Sequence, residues 1–124
     1  MKRIEVLFPM VLPSVANLRE HWAAKARRVK AQRATTSLML HAGADRKVLA
    51  QLLINTPVIE VTLTRCAARR LDDDNLASAF KACRDSVAAF LAIDDGSKRL
   101  RWKYAQAPKV LGKSQVRITI VEAA

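Results

Sequence analysis

The sequence is poor in the residues that build nucleotide and transition-metal sites, with three glycines, two cysteines and two histidines in 124 residues. Gly43, Gly96 and Gly112 stand far apart, so neither a glycine-rich phosphate cradle nor a dinucleotide fingerprint can be assembled. Cys66 and Cys83 form no Cys-x-x-Cys pair, and His21 and His41 are too scattered to suggest a zinc site. Both cysteines therefore read as small core residues. Aromatics make up only 5% of the chain, which leaves few platforms for base stacking and points any nucleic-acid recognition toward backbone shape and charge. Long apolar runs are also missing. The longest, Val87 to Ile93, falls far short of the roughly 20 residues of a membrane span. Lys2-Arg3 with Glu5 and Pro9 stand where a signal peptide would have its apolar core, so a cytoplasmic protein without membrane association is expected.

What the chain has in excess is positive charge. Twenty-two basic against 11 acidic residues give a net +11, a self-repulsion that points to a polyanionic partner. Nucleic acid leads. A basic surface serving solubility or touching anionic lipid is the alternative, and no strongly amphipathic terminal helix supports the lipid version. With 51% apolar residues, the chain can bury a core without disulfides, and residues 1–124 are expected to form one domain.

The hydrophobic pattern predicts the elements. Ile4, Val6 and Phe8 read as a first strand stopped by Pro9 and Pro13. Ser14 reads as the N-cap of a helix whose inward face is Val15, Leu18, Trp22, Ala26 and Val29, with Arg19, Lys25, Arg27, Arg28, Lys30 and Arg33 around the remainder. Asp45 caps a second helix, ended by Asn55 and Pro57. Val58 to Thr64 alternates as a strand, and Asn75 to Ala92 reads as one alanine-rich helix. Leu100, Trp102 and Tyr104 alternate with Arg99, Arg101 and Lys103 in a strand with one basic face, and Val116, Ile118 and Ile120 mark the last strand. The order predicts a compact α/β or α+β domain around a small mixed sheet packed with helices.

Against the basic background, Asp72, Asp73, Asp74, Asp94 and Asp95 are five of the 11 acidic residues, in two short stretches. Carboxylates held together repel unless a cation sits between them, and oxygen-only ligands suit Mg²⁺ or Mn²⁺. If Arg69 to Asp74 leaves a strand extended, Asp72 and Asp74 point the same way and Asp73 points opposite, making Asp72 and Asp74 the expected ligands. Helix capping is the alternative use of this segment, and both hold if Asp74 or Asn75 caps while Asp72 binds metal. Asp94-Asp95-Gly96 alone reads as a turn. Its flanking cations Lys98, Arg99, Arg101 and Lys103, together with Arg69 and Arg70, supply the phosphate contacts that metal-assisted phosphodiester hydrolysis needs.

Three ordered motifs, Arg70-Leu71-Asp72-Asp73-Asp74-Asn75-Leu76, then Lys81 with Asp85-Ser86-Val87, then Ile93-Asp94-Asp95, resemble the RusA family of Holliday-junction resolvases. Weaker echoes are Pro13-Ser14 with Asn17, and the closing Ile118-Thr119-Ile120-Val121-Glu122, so the similarity spans nearly the whole chain. The resemblance implies a RusA-like fold and a structure-selective endonuclease, often phage-borne, that resolves four-way junctions by paired symmetric nicks. It implies Asp72, Asp74 and Asp95 as catalytic aspartates holding Mg²⁺ or Mn²⁺. The family lysine follows Asn at three residues, where this chain has Ser78, and the nearest match is Lys81.

A straight helix from Asn75 to Ala92 would be about 27 Å long at 1.5 Å per residue, too long for its two ends to share a metal. Either the helix is broken or the site is completed across a homodimer by an antiparallel copy. The nearly all-round apolar character of this helix favours the dimer, as does the two-fold symmetry of junction cutting. The resulting expectation is a homodimeric nuclease for branched DNA. Asp72, Asp74 and Asp95 bind metal, and Arg69, Arg70, Lys81, Lys98, Arg99, Arg101 and Lys103 meet phosphates, while first-helix arginines such as Arg27 and Arg28 hold the junction arms. A non-catalytic nucleic-acid binder of the same fold is the rival.

Overall fold

The computed structural model describes residues 2–14 and 19–123. Its elements run β1 (Arg3–Pro9), α1 (Trp22–Gly43), α2 (Arg46–Asn55), β2 (Ile59–Cys66), α3 (Asp73–Ala79), α4 (Lys81–Leu91), β3 (Leu100–Ala107) and β4 (Gln115–Glu122). The strands form one mixed sheet in the order β1-β4-β2-β3, antiparallel except for the β2–β3 pair. A parallel pair needs a long crossover, and α3 and α4 supply it. The fold is thus α+β around a small mixed sheet.

Strand alternation decides which face is covered. Ile4, Val6 and Phe8 of β1 lie beside Ile120, Ile118 and Val116 of β4, and Val61 and Leu63 of β2 flank Ile120 and Ile118 from the other side. Leu40, Leu52, Leu76, Phe80, Cys83, Val87 and Leu91 from the helices join the same buried cluster. Each of the larger side chains so buried contributes about 1.5–3 kcal/mol. The other face of the sheet presents the rows Arg3–Val121–Glu60–Arg101 and Glu5–Thr119–Thr62–Lys103 and is polar. Cys66 and Cys83 are both buried free thiols, and burial pushes the Cys83 thiol up to about 11.

Three expectations are corrected. The first helix does not start at a Ser14 cap; it starts at Trp22, with the His21 ring nitrogen Nδ1 accepting from the Ala23 amide at 3.2 Å. Val15, Asn17 and Leu18 lie outside the described residues. The positions that α1 buries are Gln32, Thr36 and Leu40, whereas Trp22 and Ala26 are exposed and Val29 is half-buried. The physical reason is length: 22 residues make a rod of about 33 Å. Its hydrogen bonds and ring contacts to α4, namely Arg33 to Asp85, Ser86 to the Arg33 carbonyl, Thr36 to Cys83 and His41 to Phe90, begin only at Arg33.

The expected helix from Asn75 to Ala92 is two helices joined at Phe80. The Phe80 N–H is shared between the carbonyls of Leu76 and Ala77, both at 3.2 Å, and the residue has φ −89° and ψ 1°. Its ring is wholly buried and lies 6.0 Å from that of Tyr104 on β3. No proline or glycine marks the break, so only the folded chain discloses it. The third correction concerns Asp72 to Asp74. Helix α3 already includes Asp73 and Asp74, so strand alternation does not govern this segment.

Val110 and Lys113 exchange backbone hydrogen bonds of 3.1 and 3.0 Å around Leu111 (φ 51°) and Gly112 (φ 74°). This is the two-residue hairpin turn with both central φ angles positive, which suits glycine and strains leucine. Asp45 caps α2 as expected, its carboxylate accepting from the Lys47 and Val48 amides at 2.8 and 3.1 Å.

Candidate metal centre and nucleic-acid interface

The chain between β2 and α3 is tied down before it reaches the aspartates. The Gln106 side chain on β3 accepts from the Leu71 amide and donates to the Leu71 carbonyl, both at 2.8 Å, imitating one more rung of the sheet. Arg65 donates to the carbonyls of Leu12 and Arg69, and burial holds its pKa below the usual arginine value. Asp72 follows in extended backbone (φ −70°, ψ 167°) and caps α3. Its Oδ1 accepts from the Asn75 amide at 2.9 Å, and its Oδ2 accepts from the Asn75 side-chain amide at 3.0 Å.

Asp73 and Asp74 occupy the first turn of α3, where the helix dipole favours negative charge. All three carboxylates are exposed, and among the described residues no cation forms an ion pair with any of them. Just before them in the chain, Arg69 and Arg70 line, with Gln106 and Lys109, a cavity of ≈ 480 Å³. Asp72, Asp73 and Asp74 are not among its lining residues.

Asp95 lies elsewhere. Helix α4 ends with Ala92 in the left-handed region (φ 55°, ψ 38°), its last carbonyls taken by the Ala92 and Ile93 amides at 3.1 Å. The following turn presents Asp95 to Arg84, whose Nε donates to the carboxylate at 3.3 Å and whose second terminal nitrogen donates to the Asp95 carbonyl at 3.1 Å. Trp102 donates to the same carbonyl at 2.9 Å. Arg84 also donates to the Tyr104 hydroxyl at 3.0 Å and lies 4.6 Å over the Trp102 ring. Burial works against the Arg84 charge, but Tyr104 and Asp95 outweigh it and raise the arginine's pKa.

Register along β3 fixes how far apart the acidic groups are. Asp95 is anchored at Trp102 and Leu71 at Gln106. Four strand residues span about 13 Å at ~3.3 Å each, against the 2.0–2.6 Å oxygen–metal distances of about any hard divalent ion. Breaking the helix at Phe80 does not bring the ends together, and among the described residues no three His, Cys, Asp or Glu side chains form a metal-holding group. Magnesium takes as few as one or two carboxylates and completes its shell with water and phosphate, and Asp72 and Asp74 are exposed carboxylates with no ion-pair partner among the described residues.

The expected phosphate-binding cations are unevenly available. Arg69, Arg70, Lys98, Arg101 and Arg27 are exposed. Lys103 pairs with Glu60 at 3.0 Å, and Lys81 lies 3.8 Å from Asp85. Arg28 is gripped by both oxygens of Glu20, with contacts of 2.9 and 3.1 Å, and Arg99 donates to the carbonyls of Leu53 and Thr56, joining α2 to β3. Arg84 and Gln106 were not foreseen, and no local pattern in the sequence singles out either.

Replacing Arg84 with alanine is expected to cost about 2 kcal/mol, since charge-assisted hydrogen bonds to a half-buried carboxylate and phenol are lost. In a thermal melt that is a fall of roughly 8 °C. An unchanged melt would show that solvent fully replaces the cluster. Among the described residues no helix is long and apolar enough to cross a membrane. In comparisons with known proteins, no family model matches the chain, and no curated protein matches it.

Proposed function

We propose that the protein is a divalent-metal-dependent endonuclease for branched DNA, of the RusA type, acting as a homodimer. One observation carries the reading: three consecutive exposed carboxylates, without an ion-pair partner among the described residues, follow directly on Arg69 and Arg70 in a chain of net charge +11. The helix dipole and the Asn75 amides offset part of this charge, and an external cation would complete the compensation. When bound, Mg²⁺ or Mn²⁺ supplies Lewis acidity at the phosphate and a more acidic water. Asp72 and Asp74 hold that ion, and the Asn75 amides keep the Asp72 carboxylate turned to one side. Arg69 and Arg70 draw the phosphodiester toward these aspartates, and Lys98 and Arg101 take the flanking phosphates.

The third carboxylate, Asp95, comes from the second protomer. Exposed Ala89 and Ala92, with Ile93, Asp94 and Asp95, line a groove of ≈ 330 Å³ along α4, giving an antiparallel copy small side chains to approach. The order of the three motifs, and their likeness to RusA resolvases, supports the same assignment. One observation favours the non-catalytic binder: the Asp95 carboxylate is already neutralised by Arg84.

A labelled four-way junction incubated with the protein and Mg²⁺ separates these readings. Paired, symmetry-related nicks are expected; tight binding without nicks would leave a binding protein. Substituting RNA tests for ribonuclease activity. With each neutralised phosphate contributing about −0.9 to the slope of log K against log salt, five or six contacts should cost roughly a thousandfold in affinity between 50 and 200 mM salt. A flat salt response would rule out phosphate contacts.

A further inference from the structure

The first half of α1 carries a groove of ≈ 560 Å³ lined by Trp22, Lys25, Ala26, Val29, Lys30 and Arg33. These recur at three- and four-residue steps and so share one helix face. Trp22, Ala26 and Val29 of this face were predicted to turn inward, whereas the structure leaves Trp22 76% exposed. The other tryptophan, Trp102, is committed to Asp95. No acidic side chain lines the groove, and the sequence from Trp22 to Gly43 contains neither Asp nor Glu. Arg33 shares Asp85 at 2.8 Å, whereas among the described residues Lys25, Arg27 and Lys30 form no ion pair, the nearby Glu20 being held by Arg28. The His21 ring lies 5.3 Å from the Trp22 ring, tilted 37°.

Charge decides what covers this face. A second copy of the chain, related by a two-fold axis, would bring Lys25, Lys30 and Arg33 against their own equivalents. Duplex DNA offers phosphates but keeps its base faces inside the stack. Unpaired nucleic acid offers both complements at once, a flat base for the indole and phosphates for the ammonium groups. We propose that this face of α1 binds single-stranded nucleic acid, Trp22 stacking on a base while Lys25 and Lys30 hold the adjoining phosphates. The inference rests on the nucleic-acid reading above and deepens it, because bases are unstacked at a branch point.

The test uses the whole protein with a chelator present, so that cleavage plays no part, and measures fluorescence anisotropy with an oligothymidylate strand and with a blunt duplex. Stacking on one aromatic is worth enough that Trp22→Ala should weaken oligothymidylate binding by roughly ten- to a hundredfold. Duplex affinity should stay within about twofold, since phosphate contacts alone carry it. Trp22→Phe should recover most of the single-strand affinity. Unchanged oligothymidylate binding in Trp22→Ala, or an equal loss on both probes, overturns the proposal while the salt-dependent duplex binding keeps the broader reading alive. Sedimentation that shows Trp22→Ala splitting a dimer with no change in oligothymidylate affinity also overturns it, making the face a self-interface. Binding to neither probe removes both readings together.

Discussion

Asp74→Asn is expected to leave the protein folded and, on the proposed nuclease reading, to reduce junction cleavage by on the order of a thousandfold, because a metal ligand supplies several kcal/mol of transition-state stabilisation and each ~1.36 kcal/mol is tenfold in rate. Asp74 is exposed in the first turn of α3, and the substitution removes a charge without opening a cavity. Asp72→Asn is the sharper companion. Asparagine caps a helix about as well as aspartate, so the α3 start survives while the ligand charge disappears. Asp72→Ala, by contrast, should lose the ligand and about 1 kcal/mol of cap energy together. Junction binding in the two asparagine variants is expected to be unchanged or tighter, since a negative charge near the phosphate is gone. Full cleavage by Asp74→Asn would end the nuclease reading.

The separation of Asp74 from Asp95 makes a mixing experiment decisive on the dimer. In a hybrid of one Asp74→Asn protomer with one Asp95→Asn protomer, a shared site gives one position with both substitutions and one with neither. Unpaired nicks should then return, although each variant alone is inactive. Sites confined to single chains would give no recovery, because every protomer carries a defect.

Phe80→Ala is expected to be the most destabilising single change, at about 3–5 kcal/mol, the usual range for deleting a buried phenyl ring. Native stability is typically ~5–15 kcal/mol, so this is a large fraction, and the melt should fall by roughly 12–20 °C. Phe80 is wholly buried, joins α3 to α4 and stacks on Tyr104. Removing the ring leaves a void at the joint that Leu76 and Cys83, fixed in their own helices, cannot fill. Phe80→Leu keeps most of the volume and should cost about 1.5 kcal/mol or less. A urea midpoint for Phe80→Ala close to that of the parent would mean that the joint repacks freely.

Local features of the fold were readable because they depend on neighbours in sequence. Alternation in Ile4-Val6-Phe8 and in Val116-Ile118-Ile120 placed both strands, and Asp45 before Val48 announced the α2 cap. The Asp72–Asn75 spacing carried the α3 cap too, but capping was assigned to Asp74 or Asn75, and the structure gives it to Asp72. The α1 periodicity was real, yet periodicity names a face without saying whether anything packs against it. Trp22 was therefore assigned to the interior and stands in solvent.

Composition and local pattern by themselves determined the charge of +11, the two acidic stretches and the buried faces of the strands. Only the tertiary structure decided that Leu71, just before Asp72, is held by Gln106 near one end of β3 while Asp95 is held by Arg84 and by Trp102 toward the other. The reason is register. The parallel pairing of β2 with β3 and the anchor of Leu71 at Gln106 join residues tens of positions apart, and no run of neighbouring side chains encodes such a distance.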